Sequence, residues 1–225
     1  MPVFQLSNEL FFPPPELARA DGLLAVGGDL SPNRLLMAYQ LGIFPWYSAG
    51  DPLLWWCPTP RLILRPNEFR LARRLARQLR NNSFTLTRDT AFREVITQCA
   101  GARLGQDIPT WIQPEMVEAY TQLHELGFAH SIECWQGGLL AGGLYGVSIG
   151  SVFFGESMFS RVPNSSKAAL HHLCVTLDEW NFDFIDCQMK TEHLCRLGAR
   201  EIPAAAFFTW LQKAILKPSR RGSWT

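Results

Sequence analysis

A strand-like run, FDFIDCQ at residues 182–188, carries an acid and an amide two positions apart. Side chains alternate along a strand, so Phe182, Phe184, Asp186 and Gln188 should share one face while Ile185 and Cys187 point to the other. On that geometry Asp186 and Gln188 can act together on a proton or on the orientation of a reacting group, with Cys187 turned away. The alternative for Asp186 is a strand-end carboxylate that caps the following helix or satisfies a buried donor. A second acid, Glu156, sits in the apolar run VFFGESMF; a lone buried carboxylate is costly, so it must be paired or face a cleft. Gly155 and Ser157 in that run resemble part of a G-x-S-x-G nucleophile turn, but Phe159 stands at the last glycine position and the strand continues, which argues against a hydrolase. His171, His172, Cys174, His193 and Cys195 lie in expected helices without a recognised ligand spacing, so no metal is expected.

The elements that must position these groups can be read from periodicity and punctuation. The chain has 225 residues, 47% of them hydrophobic, enough for one sizeable core and a small accessory domain. The formal net charge is +1, so any nucleic-acid contact must come from a local patch. Six cysteines without a C-x-x-C pair, and an N-terminus lacking a basic segment followed by an apolar one, point to reduced thiols in the cytoplasm. Residues 1–62 are rich in Pro, Gly and Trp and read as a small loop-rich lobe; its one clear helix has Ser31 as cap, Pro32 in the first position and Gly42 at the end. From Phe69 to Arg80 the spacing predicts a two-faced helix, with Arg70, Arg73, Arg74, Arg77 and Arg80 on one side and Leu71, Leu75 and Leu79 on the other. A helix over Pro114–Leu126 ends at Gly127 and leads into three strands. The uncharged stretch 134–155 is long enough to span a membrane, but its seven glycines and its serines fit two strands meeting at Ile149-Gly150-Ser151 better. Ser165 or Ser166 can cap the next helix; the strand with Asp186, a short helix ending at Gly198, the segment AREI and a final apolar helix follow.

This order predicts an α+β domain over residues 63–225 with a mixed sheet. It resembles the N-acetyltransferase (GNAT) fold. Acetyl-CoA enzymes of that fold carry a glycine-bearing pyrophosphate loop before the helix, whereas the corresponding SRVPNSSKAAL has no glycine, so a CoA-dependent N-acetyltransferase is the weaker reading.

Several stretches in joint order are similar to those of leucyl/phenylalanyl-tRNA–protein transferases: FPPPELARADGLLAVGGDLSPNRLLMAYQLGIFPWY, LLWWCPTPR, TWIQPEMVEAYTQLHELGFAHSIECW, FFGESMFSRVPNSSKAAL, and IDCQ followed by HLCRLGAREIP. KPSRRGSWT at the C-terminus adds nothing to the match. The resemblance implies transfer of Leu or Phe, and less readily Met, from aminoacyl-tRNA to proteins beginning with Arg or Lys, marking them for degradation, with no cofactor and no DNA or membrane partner. It implies catalytic roles for Asp186 and Gln188 and a place in the same site for Glu156, which the cationic acceptor N-terminus suits. The unpaired tRNA end suits an aromatic surface, for which Trp46 and Trp111 are candidates, the resemblance favouring Trp111. Leu144, Phe153, Leu170 and Ile185 are candidates for an apolar pocket around the transferred side chain, with core membership as the plainer alternative. The five arginines suit tRNA phosphates, although a charged helix face is often only solvated. A non-catalytic RNA-binding module is the remaining rival.

Overall fold

The computed structural model describes residues 3–81, 83–101 and 112–225. The first part forms β1 (Phe4–Leu6), β2 (Leu23–Gly27), α1 (Pro32–Gln40), β3 (Phe44–Pro45) and β4 (Leu54–Trp56), with a four-stranded sheet in the order β1-β2-β4-β3. Pro32 occupies the first turn of α1 as its fixed φ favours, and Ser31 is the N-cap, although its side chain makes no capping bond. Asp29 takes over, accepting the Ser31 amide at 2.8 Å and Arg34 Nε at 3.1 Å.

The second part follows as β5 (Arg61–Leu64), α2 (Arg73–Arg80), β6 (Thr85–Arg88), α3 (Phe92–Gly101), α4 (Pro114–Glu125), β7 (Ala129–Gln136), β8 (Leu139–Ile149), β9 (Val152–Ser160), α5 (Ser165–Glu179), β10 (Phe184–Gln188), α6 (Glu192–Arg196), β11 (Arg200–Ile202) and α7 (Ala204–Ile215). Its seven strands run β11-β5-β10-β9-β8-β7-β6, all neighbours antiparallel except β9 and β10. This is the mixed sheet of an α+β domain. The glycine-rich uncharged stretch is the end of β7 and the β8–β9 hairpin, as its alternation suggests. Gly150 makes the turn at φ +59°, and a Cβ there would fall 2.1 Å from the Ala214 carbonyl oxygen. Among the described residues no helix is long and apolar enough to cross a membrane.

The two sheet faces bury separate cores. One face packs Tyr145, Val152, Phe154 and Phe184 under α3, α4, α7 and the N-terminal lobe. The other packs Leu144, Phe153 and Ile185 against Leu170, Leu173 and Leu177 of α5. Each such leucine contributes about 1.5–3 kcal/mol on burial, which explains why the least polar side of α5 faces the sheet. The C-terminal tail closes this second core, with Trp224 stacked on His130 at 3.7 Å and its amide donating to Asp89 at 2.8 Å.

Two local expectations are corrected. The helix expected from Phe69 begins only at Arg73, because residues 66–68 form a 3-10 turn and the Arg70 amide is drawn to the Leu197 carbonyl at 2.8 Å. Arg70 and Leu71 are therefore off the helix. The N-cap of α5 is Asn164 at φ +74°, not a serine; Ser165 Oγ instead donates to the Ala141 carbonyl at 2.8 Å.

Candidate active site

The parallel strands β9 and β10 pair from Val152–Phe184 to Phe154–Asp186 and then part. Both strands are irregular at that point. On β9 the register with β8 slips between the Tyr145–Ser157 and Gly146–Gly155 pairs, so Glu156 is the extra residue of a bulge. Gly146 is required opposite it, since a Cβ there would fall 2.2 Å from the Phe154 carbonyl oxygen. On β10 the register with β5 slips between Asp186 and Gln188, which leaves Cys187 extra, and Gln188 takes a left-handed φ of +63°. The two bulges turn Glu156 and Gln188 toward each other, and Gln188 Nε2 donates to Glu156 Oε1 at 2.8 Å.

Alternation thus holds through Cys187 and fails at Gln188. Ile185, Cys187 and Gln188 line the pocket, while Asp186 lies behind it on the Phe184 side. The shared face expected for Asp186 and Gln188 is corrected by the bulge; Cys187 keeps the Ile185 side as expected, but that side is the pocket, so the expectation that it is turned away from the site is corrected too. Burial, reinforced by the Asp186 charge, pushes the Cys187 thiol well above its ordinary range.

Asp186 is fully buried and accepts two parallel bonds from Arg61, Nε to Oδ1 and Nη2 to Oδ2, each 2.8 Å. Its Oδ1 also accepts the Gln188 amide at 2.9 Å. Arg61, equally buried, donates from Nη2 to the Gly42 carbonyl at 2.9 Å.

Glu156 is 8% exposed and accepts the Tyr120 hydroxyl at 3.2 Å; Tyr120 in turn shares a short hydrogen bond with Tyr39. Burial pushes the Glu156 carboxyl up to about 7, with the Asp186 charge adding to it and the bonds from Tyr39, Tyr120 and Gln188 holding it down. Tyr39 and Tyr120 were not singled out in sequence because a tyrosine on the buried face of α1 or α4 looks like any core aromatic. The buried Tyr145 hydroxyl has no partner among the described residues, although Tyr145 lines the pocket.

The pocket has a volume of about 390 Å³. It brings together Leu144, Phe153, Leu170 and Ile185 with Glu156, Gln188 and Trp46. Met158 and His193, unflagged for this role by spacing, also line it. Its apolar lining comes from β8, β9, β10 and α5, and Glu156 and Gln188 enter it where β9 and β10 part.

Family models describe the two parts of the chain in turn. Leucyl/phenylalanyl-tRNA protein transferase matches residues 63–212, and the N-terminal domain of the same family matches residues 28–59. The chain belongs to the leucyl/phenylalanyl-tRNA protein transferase family. It is 56% identical over 225 residues to the leucyl/phenylalanyl-tRNA–protein transferase of Desulfatibacillum aliphaticivorans, covering 100% of this chain and 97% of that one. A Legionella pneumophila (strain Paris) protein of the same name is 54% identical over 218 residues, covering 97% of each. Among solved structures, a GCN5-related N-acetyltransferase from Kribbella flavida aligns at 12% identity over 76% of this chain and 60% of its own, with a TM-score of 0.35. L-PGS from Bacillus licheniformis aligns at 10% identity over 77% of this chain and 57% of its own, with a TM-score of 0.41.

In this leucyl/phenylalanyl-tRNA protein transferase family member three of the stretches that carry the resemblance reach the pocket. FFGESMF is β9 with Glu156, IDCQ is the end of β10, and IFPWY brings Trp46 to the rim. Trp46 is 37% exposed and packs edge-on against Trp56 at 5.6 Å. Trp111 lies outside the described residues. Arg73, Arg74, Arg77 and Arg80 project from α2 with Arg70 just before it, while Leu75 anchors the opposite face. Among the described residues none of these five arginines forms an ion pair.

Proposed function

We propose that this enzyme transfers Leu or Phe, and less readily Met, from aminoacyl-tRNA to the N-terminal amine of proteins beginning with Arg or Lys, in the cytoplasm, marking them for degradation. The supporting observation is one pocket whose apolar end suits a leucyl or phenylalanyl side chain and whose polar end is the Glu156–Gln188 pair. The tRNA ester is already activated, so alignment, proton handling and oxyanion stabilisation suffice.

An α-amine with a pKa near ~8 is made neutral at pH 7 for about 1.4 kcal/mol. Its nitrogen attacks the ester carbonyl, and the resulting ammonium gives its proton to Glu156, whose carboxyl near 7 is matched to that exchange. The bond to the tRNA 3′ oxygen then breaks and that oxygen takes the proton. Gln188 commits its Nε2 to Glu156, which leaves its carbonyl oxygen to orient the amine. Asp186 acts from behind by holding the Gln188 backbone. The Tyr145 hydroxyl is a donor available to the developing oxyanion.

The direct test is a transfer assay with labelled Leu-tRNA and peptides beginning with Arg, Lys or Ala. Product with Arg and Lys only is the expected result; tRNA binding without product would leave only an RNA-binding module. Acetyl-CoA should neither bind nor compete.

Two narrower outcomes follow from the pocket and the arginines. Leu144→Ala lengthens the apolar end, so kcat/KM for Leu-tRNA should fall about tenfold or more while that for Phe-tRNA falls less. An unchanged Phe-to-Leu ratio would remove Leu144 from the specificity wall. Replacing Arg73, Arg74 and Arg77 together by Gln should weaken tRNA binding and reduce the slope of log K against log salt by about 2–3. An unaltered slope would show that α2 does not meet phosphate.

A further inference from the structure

Gln188 meets Glu156 from a left-handed backbone conformation, and its amide donates to Asp186 Oδ1 at 2.9 Å. Asp186 is itself held by Arg61, whose Nε and Nη2 occupy its two oxygens in a planar fork. Nη2 of the same guanidinium reaches the Gly42 carbonyl in the turn between α1 and β3. The rings of Phe44 and Phe207 lie 5.0 and 4.7 Å from it. Phe44 on β3 and Trp46 just after it line the pocket from the N-terminal lobe. A single buried cation therefore connects the loop that brings Trp46 to the rim with the carboxylate that holds Gln188.

We infer that Arg61 is a positioning residue for transfer, setting the Gln188 amide through Asp186 and seating the N-terminal lobe's pocket wall through Gly42. This rests on the reading of Glu156 and Gln188 as the reacting end of the pocket. A lysine keeps the charge at position 61 but is a point donor on a flexible stem, and cannot hold both carboxylate oxygens and the carbonyl in one plane.

The test compares the parent, Arg61→Lys, Gln188→Ala and their combination in steady-state transfer from Leu-tRNA to an Arg-starting peptide, with thermal unfolding of each. Arg61→Lys should lower kcat about 10- to 100-fold, as a displaced reacting group does, with KM for either substrate moving far less. In the Gln188→Ala background the same change should add only a few-fold, the part carried by the Gly42 contact, because the Gln188 side chain that Arg61 positions through Asp186 is already gone. Losses that multiply, or a lower melting temperature with intact kcat, would overturn the inference. Gln188→Ala with parental kcat would overturn the reading of the site itself, and the inference with it. Because a single change can impair folding, the paired variant Arg61→Met with Asp186→Leu removes both charges together. It should melt close to the parent yet keep the loss in kcat; recovered kcat would mean that the pair is only structural.

Discussion

Glu156→Gln should lose about 10²–10⁴-fold in transfer rate, the range for removal of a proton-handling group, while becoming the more stable protein at pH 8. Glutamine copies the shape of the protonated acid but cannot accept a proton from the attacking amine. The stability half follows from burial, which raises the carboxyl from 4.5 to about 7. The folded protein binds this proton more tightly than the unfolded chain does, so the stabilisation is complete below pH 4.5 and is lost as pH rises through about 7. The difference is worth about 3 kcal/mol above that window. The substituted amide stays neutral throughout, so that loss should vanish. Urea unfolding at pH 5 and pH 8 measures it, and a variant whose stability falls between them as much as the parent's would contradict the assignment. In the rate profile the parent should show a rise through about 7 that the variant lacks, whereas the acceptor amine's own rise near ~8 is common to both. An unchanged KM for Arg-starting peptides would remove Glu156 from the acceptor contact.

Asp186→Ala carries the second large effect, and it falls first on the fold. Arg61 is 1% exposed and would keep its charge with no counter-ion. Breaking a buried pair by deleting one partner costs about 3–5 kcal/mol, much of a small protein's stability. The Gln188 amide would also lose its acceptor, so molecules that remain folded should transfer slowly. Asp186→Asn, which keeps an acceptor oxygen for one donor at a time, should lose less. Chemical unfolding at pH 7 decides the matter: a loss below about 1 kcal/mol for Asp186→Ala would mean that water or another group compensates Arg61.

Several parts of this architecture are local enough to be read from residues alone. The β8–β9 hairpin announces itself in alternation broken by Gly150, α1 in Ser31-Pro32, and α4 in Pro114 with Gly127 at its end. Leu144, Phe153, Leu170 and Ile185 could be named only as candidates beside the plainer reading of core membership, since any apolar residue suits either, and all four line the pocket. Other features leave little local trace. Nothing in RLARRLARQLR marks the departure at Arg70, which depends on a carbonyl contributed by Leu197. Trp224 was uninformative in a short polar tail, yet it closes the second core against His130.

The amino-acid sequence alone therefore determined the α+β order and the family to which the chain belongs, and offered Glu156 and the four apolar residues as candidates. The tertiary structure decided which acid faces the pocket and which is held behind it. A one-residue bulge reverses every later side chain on a strand without altering composition or average periodicity. Arg61 and Asp186 stand 125 positions apart, so the pairing that turns one carboxylate inward and leaves Glu156 to the cavity exists only after β5 and β10 are neighbours.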